Sequence, residues 1–481
     1  MPEKNSIYKR IVNATSLFGG VQVINMLCSL IRNKVIAILL GAEGVGLIGL
    51  FNSAIEMVSS MTNLGLRQSS VRDISSAYNT TAENFKKIAG VVRKLSLVLG
   101  LLGAMVFIGA APLLSKITFG TDKNLWSFVV LSVALLFNAL SSGEQAILQG
   151  SEKLKTFAKS TVAASVVSLI FSIPLYYLFR IEGVVPSLLL TSFFAFLFNY
   201  IASRKEKIET EKVSVKTAFK EGSPMLKLGI YMTISGFMTT LLNYILIAWM
   251  NNYSTMAEVG YYQAGFTLVT RYVGMVFVAM STEYYPRLSK VHSDNGQVSL
   301  QASRQMESSI LMLLPIILLF LLFQDWIIEL LYSPQFAVVS NYVGWAILGV
   351  LFKAISWSLG FILLAKGEGK LFLITELISD ITTLIISIAL YLAMGLEGLG
   401  IAYTINFAIY ATYMWIICKK RYCFLPEKTL YSVSLIAFVL VYTQALLINF
   451  EISKYVIPSI LAFISILFTL ITLRKRLKIT P

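Results

Sequence analysis

The sequence predicts an all-α polytopic membrane protein, and three observations support this fold class. Of the 481 residues, 56% are hydrophobic and 14% are charged, and the mean hydropathy is +0.74. Such a composition is not that of a soluble globular protein. The hydrophobic residues form about fourteen runs of about 20 residues, the length that crosses a hydrocarbon core of about 30 Å as a helix. Basic residues collect in every second segment between these runs.

The expected transmembrane helices follow one another with short connections. Their approximate limits are 17–40, 46–66, 88–111, 125–148, 158–179, 183–203, 224–250, 258–282, 305–323, 340–365, 371–394, 398–418, 430–449 and 455–473. If the N-terminus is cytoplasmic, 32 of the 40 Lys and Arg residues lie on the cytoplasmic side and four on the opposite side. Because positive charge is retained in the cytoplasm, both termini are predicted to be cytoplasmic. The net charge of +15 then reflects topology, and no nucleic-acid partner is expected.

Little sequence remains for a soluble domain or a catalytic centre. His292 is the only histidine, and Cys28, Cys418 and Cys423 lack the spacing of metal ligands, so neither a metal site nor a disulfide is expected. Residues 44–49 spell the dinucleotide-binding pattern GxGxxG, but no strand precedes them. These glycines are better explained by a tight turn and close helix contact. We therefore expect no enzyme and no resident cofactor.

The chain contains an internal repeat, in which the second copy follows the first at one constant offset. Residues 155–183 fall on residues 370–398 without a gap and share ten identities, and Ala42 falls on Ala257 at the same offset. One constant offset over separate segments indicates duplication. Each repeat holds six spans, an even number, so the repeats are parallel, and a site is expected between them near the middle of the membrane.

The repeat divides the chain into four predicted regions. An N-lobe covers 1–203, a cytoplasmic linker 204–223, and a C-lobe 224–420, while 421–481 adds two C-terminal helices and a basic cytoplasmic tail. The two six-helix lobes are expected to surround a central cavity. The linker mixes basic and acidic residues and is interpreted as a solvated tether.

Four cations lie inside the predicted spans: Arg32, Lys34, Arg271 and Lys353. Each costs roughly 2.5–3.5 kcal/mol at the centre of a membrane helix, so a functional role is the first hypothesis. Cations that face a cavity suit an anionic ligand, and we predict that these four bind substrate. In the alternative interpretation, Arg32 and Lys34 extend to the outer membrane interface.

Carboxylates inside the spans are candidates for coupling or gating. Glu56 and Arg271 occupy equivalent positions of the two repeats, and Asp380 lies near the centre of its span. The alternative is that Glu56 with Arg271, and Lys353 with Asp380, form structural ion pairs.

Two further acids, Glu144 and Glu376, lie near predicted cytoplasmic span ends. Gating is one hypothesis for them, and simple solvation is the other.

Several short segments resemble one known family. They are 32–34, 40–47, 258–265, 285–289, 365–367 and the stretch 333–380. Together they resemble the O-antigen translocases of the multidrug/oligosaccharidyl-lipid/polysaccharide exporter superfamily, and most of all its lipid III flippase branch. The resemblance implies a flippase of the bacterial inner membrane. It would move polyprenyl-diphosphate-linked oligosaccharide units to the periplasmic leaflet by alternating access, for O-antigen or related polysaccharide biosynthesis.

Physical chemistry supports this expectation independently. A sugar on a diphosphate cannot cross hydrocarbon unaided, because each unpaired polar group costs several kcal/mol there. Interior cations would bind the diphosphate, while the lipid tail stays among membrane lipids. Proton or sodium coupling is expected to use Glu56 or Asp380, and the glycan polymerase machinery is an expected partner.

Three alternatives remain open. A multidrug exporter of the same superfamily should favour interior carboxylates over cations such as Arg32 and Lys34. A lipid II flippase would share the proposed chemistry. A membrane glycan polymerase or ligase should carry a substantial periplasmic loop, which the sequence does not contain.

Overall fold

The computed structural model describes residues 21, 24–78, 80–450, 452 and 455–479, which form helices and no strand. The helices are α1 (24–39), α2 (Gly41–Thr62), α3 (Leu66–Tyr78), α4 (Ala82–Phe119), α5 (Leu125–Gly150), α6 (Leu154–Phe179), α7 (Val184–Lys205), α8 (Val215–Tyr253), α9 (Met256–Thr267), α10 (Met275–Lys290), α11 (Asn295–Leu331), α12 (Val339–Ala365), α13 (Gly369–Tyr422), α14 (Lys428–Asn449) and α15 (Val456–Ile479). Short 3-10 turns cover Arg180–Gly183 and Pro334–Phe336, and a π-helical segment covers Leu268–Val273.

Several helices begin where the sequence supplies a capping side chain. Thr81 caps α4, Ser214 caps α8 and Asp294 caps α11, each by accepting a hydrogen bond from a backbone N–H of the first turn. Such caps satisfy amides that have no partner within the helix.

The described part of the chain has nine helical stretches long and apolar enough to cross a membrane, or ten if the bent pair Met256–Val278 and Glu283–Lys290 counts as one span. Two stretches, Leu154–Lys205 and Gly369–Tyr422, are 52 and 54 residues long. The first is broken by the turn at Arg180–Gly183 and the second at Gly395. The predicted all-helical membrane fold is confirmed, and the count of fourteen helices stays a prediction.

The backbone repeats itself at the offset predicted from the sequence. Arg180 has φ 51° and ψ −130°, and Gly395, its equivalent in the second repeat, has φ 61° and ψ −138°. Glu152 and Gly367, a second equivalent pair, have φ 59° and 77°. Positive φ is uncommon for residues other than glycine, so coincidence at one fixed offset is a poor explanation. The predicted duplication is confirmed.

A matched pair of close contacts supports the same conclusion. A Cβ atom placed on Gly183 would lie 2.4 Å from the Leu175 carbonyl oxygen, and one on Gly398 would lie 2.1 Å from the Leu390 carbonyl oxygen. Both glycines therefore let the chain return tightly against the preceding helix, at equivalent positions of the two repeats.

The chain divides into two compact units, which we call unit 1, up to Gly260, and unit 2, from Tyr261 onward. In unit 1, α8 packs against α2, α3 and α4. The domain limits predicted at 1–203, 204–223, 224–420 and 421–481 stay a prediction.

Close helix contact at Gly46, expected from the sequence, occurs within unit 1. A Cβ atom on Gly46 would lie 2.1 Å from the Met256 carbonyl oxygen, and one on Gly260 would lie 2.0 Å from the Ala42 carbonyl oxygen. Residues 44–49 lie inside α2, where no phosphate-binding loop is formed.

The segment between α7 and α8 is largely solvated, as predicted, but it packs against α4 within unit 1 and is therefore not a free tether. The Glu211 N–H donates to the Lys86 carbonyl oxygen at 3.1 Å, and the Lys86 ammonium pairs with Glu209. Gly90 of α4 leaves room for this approach, because a Cβ atom there would lie 2.4 Å from the Glu211 carbonyl oxygen. The repeat pattern alone gave no signal of these contacts.

In unit 2, the two C-terminal helices pack on α11 through buried polar side chains. Pro315 removes the amide that would bond the Leu311 carbonyl in a regular helix. Thr469 of α15 donates to that carbonyl at 3.1 Å, and Gln444 of α14 donates to the Leu318 carbonyl at 2.6 Å. These helices are therefore integral to unit 2.

Candidate functional site

Arg32 lies in the interior of unit 1 and is only partly hydrogen-bonded. Its Nη2 atom donates to Ser168 Oγ of α6 at 2.7 Å, while its Nε atom is buried without a hydrogen-bond partner among the described residues. Asn25 accepts a bond from Ser165 at 2.8 Å, which fixes α1 against α6 one to two turns away. Because Arg32 reaches the middle of α6, its placement does not fit extension to the outer interface.

Glu144 has a different environment, because it is 4% exposed and fully engaged by Arg93. Arg93 Nε and Nη2 donate to the two carboxylate oxygens at 2.7 and 3.0 Å. The same guanidinium donates to Ser203 at 2.7 Å and to Thr210 at 3.0 Å. This clamp joins α4, α5, α7 and the segment after α7. Simple solvation of Glu144 is therefore wrong.

Lys353 of unit 2 lies between aromatic rings. Its Nζ atom is 5.8 Å from the ring centroid of Phe277 and 5.2 Å from that of Phe407. Aromatic faces stabilise a cation without neutralising it. The alternative ion pair between Lys353 and Asp380 stays a prediction.

Glu376 is held by the far half of its own kinked helix. Tyr410 donates to the Glu376 carboxylate, and the neighbouring Tyr413 donates to the Thr375 carbonyl oxygen. Both tyrosines follow the break at Gly395, so these bonds tie the two halves of α13 together. Asp380 lies one helical turn from Glu376 on the same helix. Unit 2 thus packs α12, which carries Lys353, against the helix that carries both acids.

The remaining predicted residues are placed as follows. Arg271 lies in the π-helical segment of unit 2 with an exposed side chain, Lys34 is half-buried on α1, and Glu56 is exposed on α2. π-Helical segments are rare and frequently occur at functional sites. The sequence carries no signal that would have predicted one here.

Sequence reasoning missed a half-open cleft of about 450 Å³ in unit 1, which we call the hydroxyl pocket. It is lined by α2, α3, α4, α5 and α8, and ten of its sixteen lining residues are polar or charged. These polar and charged residues include Glu56, Ser60, Arg67, Ser96, Ser142, Thr233 and Thr240.

A pattern on α2 could have revealed this pocket. Glu56, Ser59, Ser60 and Asn63 are spaced i, i+3, i+4 and i+7, which places them on one face of a helix. A polar stripe on an otherwise apolar membrane helix indicates a face that turns away from lipid.

Residues 35–341 match the family described as “Polysaccharide biosynthesis protein”. The chain belongs to this family. Two curated proteins are similar to this chain over most of its length. The lipid III flippase of Escherichia coli (strain K12) is 21% identical to it over 390 residues, which cover 79% of this chain and 91% of that protein. The probable low-salt glycan biosynthesis flippase Agl15 of Haloferax volcanii is 22% identical over 375 residues, covering 77% of this chain and 75% of that protein.

Solved structures show how this polysaccharide biosynthesis protein is folded. The lipid II flippase MurJ in an inward closed conformation has a TM-score of 0.71 at 17% identity, covering 96% of this chain and 99% of that one. An inward-facing multidrug resistance MATE transporter of the MOP superfamily has a TM-score of 0.63 at 14% identity, covering 85% and 96%. The resemblance to the exporter superfamily predicted from short segments is confirmed, and the fold is shared with both groups.

Proposed function

We propose that this polysaccharide biosynthesis protein is a flippase for polyprenyl-diphosphate-linked oligosaccharides. It would act in the bacterial inner membrane, with both termini in the cytoplasm, and carry its substrate to the periplasmic leaflet. The observation that supports this most strongly is the partly bonded Arg32 guanidinium in the interior of unit 1. The named activities of the two curated relatives point the same way.

The Nε donor of Arg32 has no hydrogen-bond partner among the described residues. A guanidinium presents a planar fork of N–H groups that matches phosphate oxygens, and it stays charged under all ordinary conditions. A buried donor without a partner costs about 1–3 kcal/mol. Ser168 fixes one edge of the fork, so the remainder is oriented for a ligand oxygen. A phosphate group is the complement of such a site.

We propose Lys353 of unit 2 as a second cation that binds the diphosphate, because two aromatic faces hold its ammonium group without neutralising it. We extend the proposed diphosphate site to Lys34 and Arg271, as predicted from the sequence. Glu56 and Asp380 are proposed as the groups that bind a coupling proton or sodium ion. Glu376 is proposed to act with Asp380 through its bond to Tyr410.

The membrane potential would favour the proposed direction of transport. Moving negative charge outward against an inside-negative potential is favourable by about 2.3 kcal/mol per charge for each 100 mV. The charged headgroup would travel through the protein while the polyprenyl tail remains in hydrocarbon.

A multidrug exporter of the same superfamily is the second candidate, since the MATE transporters share the fold. Interior cations such as Arg32 and Lys353 would repel cationic drugs, which argues against it. A lipid II flippase would use the same diphosphate chemistry and differs only in the sugar.

Reconstitution tests the proposal directly. The full chain is placed in vesicles with a fluorescent polyprenyl-diphosphate saccharide, and leaflet exposure is followed with a membrane-impermeant quencher. We expect protein-dependent translocation, and a large loss when Arg32, Lys34, Arg271 and Lys353 are all changed to Gln. Unchanged translocation in that quadruple variant would overturn the proposed site. Transport of cationic dyes but not of the lipid would favour the multidrug exporter.

A further inference from the structure

The hydroxyl pocket of unit 1 is rich in neutral polar groups whose donors point away from it. Ser60 donates to the Met57 carbonyl at 2.7 Å, and Ser142 donates to the Asn138 carbonyl at 2.8 Å. Thr240 lies 3.0 Å from the Gly236 carbonyl of its own helix, and Ser60 and Thr240 also share a hydrogen bond of 2.9 Å between α2 and α8. A hydroxyl that gives its proton to its own helix keeps oxygen lone pairs for other donors. The walls therefore present hydrogen-bond acceptors to the cavity.

Two further hydroxyls of the pocket are unsatisfied. Ser96 Oγ and Thr233 Oγ1 are buried and have no hydrogen-bond partner among the described residues. Ser96 is only 2% exposed, so bulk solvent does not replace the missing partner. Buried hydroxyls are almost always paired in folded proteins. Neither oxygen is accessible in this structure, so a polar occupant would satisfy them only after their side chains rotate toward the cavity.

The chemistry of the walls selects a neutral, hydroxyl-bearing ligand. Glu56 and Arg67 bring opposite charges to the lining, so the two offset each other. The acceptor oxygens disfavour an anion such as phosphate, which carries acceptors only. Sugar hydroxyls both donate and accept, so they can bond the acceptor walls and also Ser96 and Thr233. The volume of about 450 Å³ falls within the usual range of small-molecule sites.

We propose that the hydroxyl pocket binds a sugar residue of the carried oligosaccharide, separately from the cations that bind the diphosphate. This inference rests on the proposed flippase function and assigns the glycan to unit 1. Recognition by Ser60, Ser96, Thr233 and Thr240 would make the pocket a determinant of which glycan is carried.

Gly236 of α8 offers a way to fill the pocket without disturbing the fold. It lines the cavity, and a Cβ atom placed on it would meet no described atom within 4 Å. Gly109 of α4 is a matched control, because its Cβ position is equally open and it does not line the pocket. Both glycines lie inside helices without positive φ, so larger side chains are compatible with both backbones.

The test compares two lipid probes on the full chain in lipid nanodiscs. One probe is a polyprenyl diphosphate that carries an N-acetylhexosamine disaccharide, and the other is the sugar-free polyprenyl diphosphate. We expect Gly236→Phe to weaken binding of the sugar-bearing probe by about tenfold, the loss of roughly one well-made hydrogen bond. Binding of the sugar-free probe should stay unchanged, and Gly109→Phe should leave both affinities unchanged.

A second pair of variants removes hydroxyls with little change of shape. Thr233→Val combined with Ser96→Ala should again weaken only the sugar-bearing probe. Thr191→Val is the control, because Thr191 donates to a carbonyl of its own helix at 2.8 Å and lies outside the pocket. Thermal unfolding of every variant in detergent shows that it is folded.

Each outcome decides the inference. An equal loss for both probes would mean that the pocket contacts the diphosphate, and no loss for either would mean that it holds solvent only. Both results overturn the sugar assignment, as would equal affinity of the unsubstituted protein for the two probes. If the unsubstituted protein neither binds nor translocates either lipid, the proposed function itself fails.

Discussion

Two arginines of unit 1 are bound in opposite ways. The Arg93 guanidinium donates hydrogen bonds to Glu144, Ser203 and Thr210. Arg32, in contrast, donates one bond to Ser168, and its Nε atom is unpaired among the described residues. A fully paired charge fixes the helices that carry it. A partly paired charge keeps capacity for a ligand. The set of partners, rather than the residue type or its depth, separates a structural role from a binding role.

The largest effect on stability is expected when the ion pair between Arg93 and Glu144 is broken. Arg93→Ala leaves the nearly buried Glu144 carboxylate without its partner, which costs about 3–5 kcal/mol in a buried ion pair. We expect a marked fall of the unfolding temperature in detergent, with loss of folded protein at growth temperature. An Arg93→Ala variant as stable as the unsubstituted protein would show that the clamp does not hold these helices.

Substitution of the partly bonded Arg32 should reduce ligand affinity and change stability little. Arg32→Gln removes a charged donor from the proposed diphosphate site, and a hydrogen bond to a charged group is worth about 1.5–3 kcal/mol. Affinity for sugar-free polyprenyl diphosphate should therefore fall about tenfold to a hundredfold, while the unfolding temperature changes little. Binding is measured in nanodiscs, and Arg32→Lys should retain part of it. A strong loss of stability without a loss of affinity would show that Arg32 has a structural role, as Arg93 does.

A smaller effect is expected at a neutral contact in unit 2. Thr469→Val leaves the carbonyl freed by Pro315 without a donor, at a cost of about 1–3 kcal/mol. Thermal unfolding should detect this, and Thr469→Ser should restore most of the stability. Thr412→Val serves as the control, because Thr412 donates to a carbonyl of its own helix and is exposed. Equal shifts of the unfolding temperature for Thr469→Val and Thr412→Val would show that the hydrogen bond to α11 stabilises the protein no more than a bond within one helix.

The smallest effect is expected from Glu206, a half-buried acid outside the spans. The Thr156 hydroxyl, and then the Lys153 ammonium at 3.3 Å, lower the pKa of Glu206 below its ordinary value. A lowered folded-state pKa contributes stability above the unfolded-state pKa, and this contribution is lost as the pH falls through the folded-state pKa. The stability difference between the unsubstituted protein and Glu206→Gln should therefore shrink between about pH 7 and pH 3. A difference that grows on acidification would contradict the assignment.

The sequence predicted the large-scale features because they depend on hydrophobic length and on repetition. The offset of the repeat, found from identities such as Tyr176 with Tyr391, also relates the unusual backbones of Arg180 and Gly395. A turn of the same shape is encoded twice, so self-comparison is sufficient to find it.

Side-chain partners were beyond such reasoning. Glu144 and Arg93 are 51 positions apart, and nothing in their spacing reveals that they meet. The π-helical turn at Arg271 and the aromatic surroundings of Lys353 depend on packing in three dimensions. The hydroxyl pocket was predictable in part, from the polar face of α2, but its wall from α8 was not.

Translocation by two arginine variants in the same vesicles shows directly whether the Arg32 guanidinium binds the substrate. Arg32→Gln removes the open guanidinium, and Arg180→Gln removes an exposed one that donates to the Leu39 carbonyl at 3.0 Å. We expect Arg32→Gln to slow translocation of a polyprenyl-diphosphate saccharide by about tenfold or more. Arg180→Gln should leave the rate close to that of the unsubstituted protein. Equal rates for the two variants would contradict a substrate-binding role of Arg32.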